Sequence, residues 1–188
     1  TAPMWQQINT FYLMVKSAAG ENDPLREPNQ FCDHVKHASH ALLGLTYATM
    51  SHGEAWHFAR MGRLMERADK TSRIVDVQYF LLLPAADDVG PSLDVVRWSA
   101  LLRSASALAM YRRGYGQITP TNVARFLVLD HEFPRAMQFC VKAAELSLLQ
   151  ITGSREGTFH CRSEQLMGRL RTEMAYTSIE DVIEQGMH

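Results

Sequence analysis

The residues best suited to chemistry gather in one segment, where His57, Arg60, Arg63, Glu66, Arg67, Lys70 and Arg73 recur over about five helical turns. Arginine offers a planar fork of donors that grips carboxylate or phosphate at two points, so several arginines in a row suit an anion. His57, one turn before Arg60, is placed to act as acid, base or donor. Two readings of the row stay open. In one, the charges form a solvated face tied by Glu66 to Lys70 and Asp69 to Arg73 at i,i+4 spacing. In the other, Arg60, Arg63, Arg67 and Lys70 exceed what the nearby carboxylates neutralise and line an anion-binding groove.

A second cluster, Asp130-His-Glu-Phe-Pro-Arg135, sets two carboxylates, a histidine and an arginine in a turn between helices. Capping and ion pairing would fix the loop; alternatively Asp130 and Arg135 would join the basic row in shaping a pocket. In the enzymatic version Glu66 or Glu132 is the general base, and Arg63 and Arg67 hold an anionic substrate. No catalytic role is assigned beyond these two candidates.

Other constellations carry less. His34, His37 and His40 follow Cys32 and Asp33 at steps of three, but such steps drift over roughly 120° of a helix surface, which favours surface histidines over a metal site. No metal and no cofactor is expected. Cys32, Cys140 and Cys161 are odd in number, widely spaced and mostly flanked by apolar residues, so buried structural thiols in a reducing cytoplasm are expected. There is no glycine-rich phosphate loop, no Gly-x-Ser-x-Gly and no metalloprotease histidine pair.

These residues must be positioned by helices, because no stretch alternates like a strand. Most of the seven prolines and eleven glycines fall between apolar-periodic segments and divide the chain into about six to eight helices. The expected elements run from Pro3 to Ala19, Gln30 to Met50 with Asn29 as cap, and Gly53 to Leu83 as a long central helix. Ser92 caps a helix to Arg113 with Asp94 in its first turn, after a loop holding Asp87 and Asp88. Thr119-Pro120 opens a helix to Leu129, Phe133-Pro134 opens another ending at Gly153, and two more span Ser163 to Ala175 and Ser178 to Gln185. Ser178-Ile-Glu-Asp181 has the spacing of a capping box.

On the long helix, Phe58, Met61, Met65, Ala68, Ser72, Val75, Tyr79 and Leu82 form the expected core seam. The small residues from Ser99 to Ala109 mark the following helix as its packing partner, with Trp98, Leu101, Leu102, Leu108 and Tyr111 supplying bulk. The fold class is therefore all-α, an antiparallel bundle around one long helix, forming a single domain over residues 1–188.

Composition agrees with a folded domain: 46% hydrophobic and 21% charged residues, with a formal net charge of −1. That balance lacks the basic excess of nucleic-acid binders. No apolar run approaches the roughly 20 residues of a membrane span, and the first residues have no export signal, so neither nucleic acid nor membrane is an expected partner.

The chain also resembles the alpha-E domain family, bacterial helical proteins with a Glu-Arg motif. The matching stretches are His57-Phe-Ala-Arg-Met-Gly-Arg-Leu-Met-Glu-Arg-Ala-Asp-Lys-Thr-Ser-Arg-Ile-Val-Asp76, Leu102-Arg-Ser-Ala-Ser-Ala107, Val123-Ala-Arg-Phe-Leu-Val-Leu-Asp130 and Glu132-Phe-Pro-Arg-Ala136. The family motif maps onto Glu66-Arg67, with Arg60, Arg63, Asp69 and Arg73 in the same signature and Asp130, Glu132 and Arg135 in a second; His131 stands where an arginine is expected. The resemblance implies the central and C-terminal part of a longer member, with an earlier Glu-Arg helix preceding Thr1. It implies the company of circularly permuted ATP-grasp ligases and transglutaminase-like peptidases, hence an accessory role in peptide or amide-bond modification. An anion-binding enzyme subunit and a structural oligomerisation bundle that associates identical copies are the alternatives.

Overall fold

Prolines and glycines stand at many of the helix ends, and where the expected boundaries move, a local hydrogen bond explains the shift. The structure is a computed structural model that describes residues 1–21, 26–78 and 91–185. The expected loop at Asp87-Asp88 and the seam positions Tyr79 and Leu82 lie outside the described residues, as do the side chains of Ser92 and Asp94.

Every regular element among the described residues is a helix, and there are nine: α1 Ala2–Glu21, α2 Pro28–Thr49, α3 Glu54–Asp76, α4 Pro91–Ser104, α5 Leu108–Gly114, α6 Pro120–Leu129, α7 Met137–Thr152, α8 Arg162–Tyr176 and α9 Ile179–Gln185. Thr119 caps α6 by accepting from the Asn122 N–H at 3.2 Å. Gly153 closes α7 in the left-handed region at φ 73°, where the missing Cβ removes the steric cost. Ser178 and Asp181 form the expected capping box, the Asp181 N–H donating to Ser178 Oγ at 3.1 Å and the Ser178 N–H to Asp181 Oδ2 at 3.0 Å.

Three boundaries differ. Asn29 lies inside the first turn of α2, which begins at Pro28 because proline needs no N–H partner there. Phe133-Pro134 does not open α7; Asp130 Oδ1 accepts the Glu132 and Phe133 N–H groups at 2.8 and 2.6 Å and holds a turn, so the helix starts at Met137. The helix expected from Ser92 to Arg113 is broken after Ser104. Ser106 adopts φ 52°, the Ala107 N–H donates to Leu102 O at 2.7 Å and the Ser106 N–H to Arg103 O at 2.9 Å. These bonds make a Schellman stop with serine in the position glycine usually takes. Buried Ala105 and Ala107 draw the break against the core.

The chain divides into two compact units, Thr1–Trp56 and His57–His188, with the division inside the first turn of α3. The first is a helical hairpin. Antiparallel α1 and α2 meet through the Thr1 and Thr49 hydroxyls at 2.7 Å and through Gln7 Nε2 donating to Ala38 O at 3.4 Å. At the end of this unit Trp56 stacks on His52 with ring centres 4.1 Å apart.

The second unit holds the main core. It centres on α6, whose Val123, Ala124, Phe126, Leu127 and Val128 are all buried, joined by Trp98, Leu101 and Leu102 of α4, Tyr111 of α5 and Ile179 of α9. Val75 of α3 enters the same cluster. A smaller cluster joins Leu64 and Ala68 of α3 to Cys140, Ala143 and Ala144 of α7, so the small residues that permit close helix approach to α3 lie on α7. Of the bulky residues expected in the core, Trp98, Leu101, Leu102 and Tyr111 are buried and Leu108 is half-buried.

Candidate functional site

The Glu-Arg motif sits midway along α3, and its meaning depends on which face of that helix is turned inward. From His57 onward the buried positions are Leu64, Ala68, Thr71 and Val75, whereas Phe58 is 50% exposed and Met65 also faces solvent. At about 100° per residue the buried stripe is rotated by roughly 50° from the expected seam. Only Ala68 and Val75 belong to both. The rotation brings part of the basic row inward.

Arg60 and Arg67 therefore do not form an open row with Lys70. Arg60 Nη1 donates to Ala143 O at 3.0 Å and to Ser147 Oγ at 2.7 Å on α7. Arg67 Nη1 donates to Pro134 O at 3.0 Å, and Thr71 Oγ1 to Arg135 O at 2.8 Å, one helical turn farther on. Carbonyls left free where the chain turns from α6 into α7 are satisfied by side chains of α3, which offsets the cost of burying them. Pro134 O also accepts from the Cys140 thiol at 3.5 Å. Burial pushes that thiol upward, and Cys140 is buried as expected; Cys32 on α2 and Cys161 at the N-cap of α8, also expected to be buried, are exposed.

The solvent side of α3 carries the expected helical pairs. Lys70 Nζ lies 3.3 Å from Glu66 Oε1, and Arg73 Nε lies 2.9 Å from Asp69 Oδ2. The Arg73 hydrogen bond holds the Asp69 carboxyl below its ordinary range. Exposed pairs of this kind contribute only about 0.3–0.5 kcal/mol each. Glu66, the acid of the motif, is one of these exposed groups.

Arg63 sits between the two faces. It is half-buried, and among the described residues it makes no ion pair or hydrogen bond. Burial first, then the neighbouring Arg67 and Arg60 charges, push its guanidinium below the ordinary range, though arginine stays cationic at neutral pH. His57, the first residue of the second unit, is half-buried.

In the loop of the second cluster Asp130 is spent on capping, while His131 and Glu132 are exposed and Arg135 is half-buried. Asp130 and Glu132 line a cavity of about 460 Å³ with Arg113, Tyr115, Phe126 and Phe133. Arg63 and Arg67 are not part of that lining, so the structure does not bring the two candidate bases together with the two candidate anion holders. His34, His37 and His40 are exposed along α2.

With this geometry in view, comparison with known families is decisive on one point. A family model described as Alpha-E, a predicted alpha-helical domain with a conserved ER motif, matches residues 1–188. The chain belongs to the Alpha-E family. The match covers both compact units of this Alpha-E chain and so does not single out a central and C-terminal portion. No curated protein and no solved structure matches the chain. Among the described residues no helix is long and apolar enough to cross a membrane.

A further set of charged residues escaped the sequence reading. Glu145 of α7 is only 6% exposed and accepts from Arg171 Nε of α8 at 3.0 Å; Arg171 Nη2 also reaches Glu156 at 3.3 Å. Glu164, 5% exposed, accepts the His160 and Cys161 N–H groups at the start of α8. Those bonds, led by the His160 N–H and joined by the Ser154 and Thr152 hydroxyls, lower its carboxyl to about 2. The available signals were a lone acid in the apolar run from Phe139 to Leu149 and a glutamate three residues after Cys161.

Proposed function

We propose that this Alpha-E chain is a non-catalytic helical partner module of a peptide or amide-bond modification system, docking an ATP-grasp ligase or a transglutaminase-like peptidase through the rim of α3. The observation that carries the reading is Arg63, a half-buried cation flanked by Arg60 and Arg67 with no acceptor among the described residues. A carboxylate on a partner would satisfy its donor fork, and the adjoining ladder of Glu66, Asp69, Lys70 and Arg73 would set the register of the contact. The system is bacterial and the setting a reducing cytoplasm, in keeping with three free thiols.

The motif supports a partner module over an enzyme because its arginine ties α3 to the loop after α6 while its glutamate lies exposed beside Lys70. A general base needs a substrate held in front of it, and Glu66 lacks that enclosure. The decisive measurement is titration calorimetry of the chain with each candidate enzyme. Arg63→Ala removes no bond among the described residues, so its melting temperature should match the parent while affinity for the partner falls at least tenfold. Unchanged affinity, or an association of the chain only with itself in sedimentation, would overturn the docking reading.

A further inference from the structure

Away from the motif, α7, α8 and the loop joining them enclose a cavity of about 730 Å³. That volume lies within the usual range for a site taking a small organic ligand or a short peptide. Its walls include Leu148, Leu149 and Phe159, and its ionic floor is Glu145 with Arg171. Oε2 of Glu145 is held by Arg171, but Oε1 accepts no hydrogen bond among the described residues. A carboxylate oxygen that no protein donor occupies and that is not sealed from the cavity is open to a donor supplied by a ligand.

The charge balance points the same way. Arg171 is divided between Glu145 and Glu156, so one guanidinium serves two carboxylates. Glu164 Oε2 is held by two backbone N–H groups, its Oε1 is buried without a partner among the described residues, and Arg169 and Glu173 at the edge are exposed and of opposite sign. One negative charge is left over at the floor. Gly168, in the interior of α8, keeps Oε1 open: a Cβ there would stand 3.5 Å from Glu145 Oε1. Glycine inside a helix costs about 1 kcal/mol relative to alanine, and here it leaves space over the carboxylate.

We propose that this cavity binds a cationic amine on a short apolar body, with Glu145 Oε1 accepting from the ammonium group and Leu148, Leu149 and Phe159 packing the apolar part. A peptide amino end and a lysine side chain share this chemistry. The site is independent of the docking face on α3.

The test is calorimetric titration of the whole chain with leucyl-leucine amide, its N-acetyl derivative, and N-acetyl-lysine methylamide. The acetylated dipeptide, which has lost its ammonium, should bind at least tenfold more weakly than leucyl-leucine amide or than the lysine probe, and whichever of those two binds better names the source. Glu145→Gln keeps an acceptor for Arg171 but removes the charge and should weaken the better probe at least tenfold. Gly168→Ala covers Oε1 while favouring the helix, so it should weaken binding severalfold with an equal or higher melting temperature. Equal binding of acetylated and free probes, or parent-like affinity in Gly168→Ala, overturns the proposal even if Glu145→Gln fails to fold.

Discussion

The junction of α3 with the loop before α7 and the cleft between α7 and α8 both join helices through arginine, yet they use it in opposite ways. At the first, Arg60 and Arg67 donate to neutral acceptors, two backbone carbonyls and a serine hydroxyl, and the carboxylate of the motif stays in water. At the second, Arg171 faces the buried carboxylate of Glu145 and an exposed one from Glu156. The first arrangement is a tie, because neutral carbonyls need one donor and receive it. The second leaves a carboxylate oxygen unanswered beside a cavity, which is the condition for a ligand rather than for a brace.

Breaking the cleft should have the larger effect. Arg171→Ala leaves Glu145 buried without its partner and is expected to cost about 3 kcal/mol, read as a lower midpoint in urea unfolding. Replacing the pair together, Glu145→Leu with Arg171→Met, should recover most of that loss, whereas equal damage in both variants would mean packing and not charge is at stake. At the junction, Arg60→Ala removes a donor from the Ala143 carbonyl and the Ser147 hydroxyl, which keep their bond to each other, and is expected to cost about 1 kcal/mol in the same assay.

Acid distinguishes the two regions further. The folded Glu164 carboxyl lies at about 2, below the ordinary 4.5, so its stabilising contribution is present above pH 4.5 and is lost as pH falls from there toward 2. Glu164→Gln should flatten the stability profile across that window, measured by urea midpoints at successive pH values, while variants of the α3 junction leave the slope intact. The smallest effect belongs to the motif glutamate: Glu66→Ala should change unfolding free energy by no more than about 0.5 kcal/mol. A loss of several times that amount would show that Glu66 makes a buried contact.

Much of the helix grammar was legible because caps are local. Thr119 before Pro120, Gly153 after α7 and Ser178 three residues before Asp181 each act within one turn, and each behaves in the fold as its chemistry requires. The break at Ser106 was not legible, because a serine in the left-handed region is selected by the burial of Ala105 and Ala107, which no local pattern announces. The seam of α3 was misplaced for a related reason. Phe58 and Met65 look like core residues by type, but the helix meets α7 through Leu64 and Ala68 and fills its flanks with Arg60, Arg67 and Thr71 reaching carbonyls.

The sequence alone determined that this chain is all-helical, where most helices begin and end, and that it carries the Glu-Arg motif of its family, since these depend on residues within a turn or two of one another. Only the tertiary structure decided that Arg67 is a tie, that Arg63 has no acceptor among the described residues, and that Glu145 meets Arg171 beside a cavity. Those outcomes depend on the rotation of each helix about its axis. Rotation is set by the summed fit of many side chains against neighbouring helices, and one residue's hydrophobicity does not encode it.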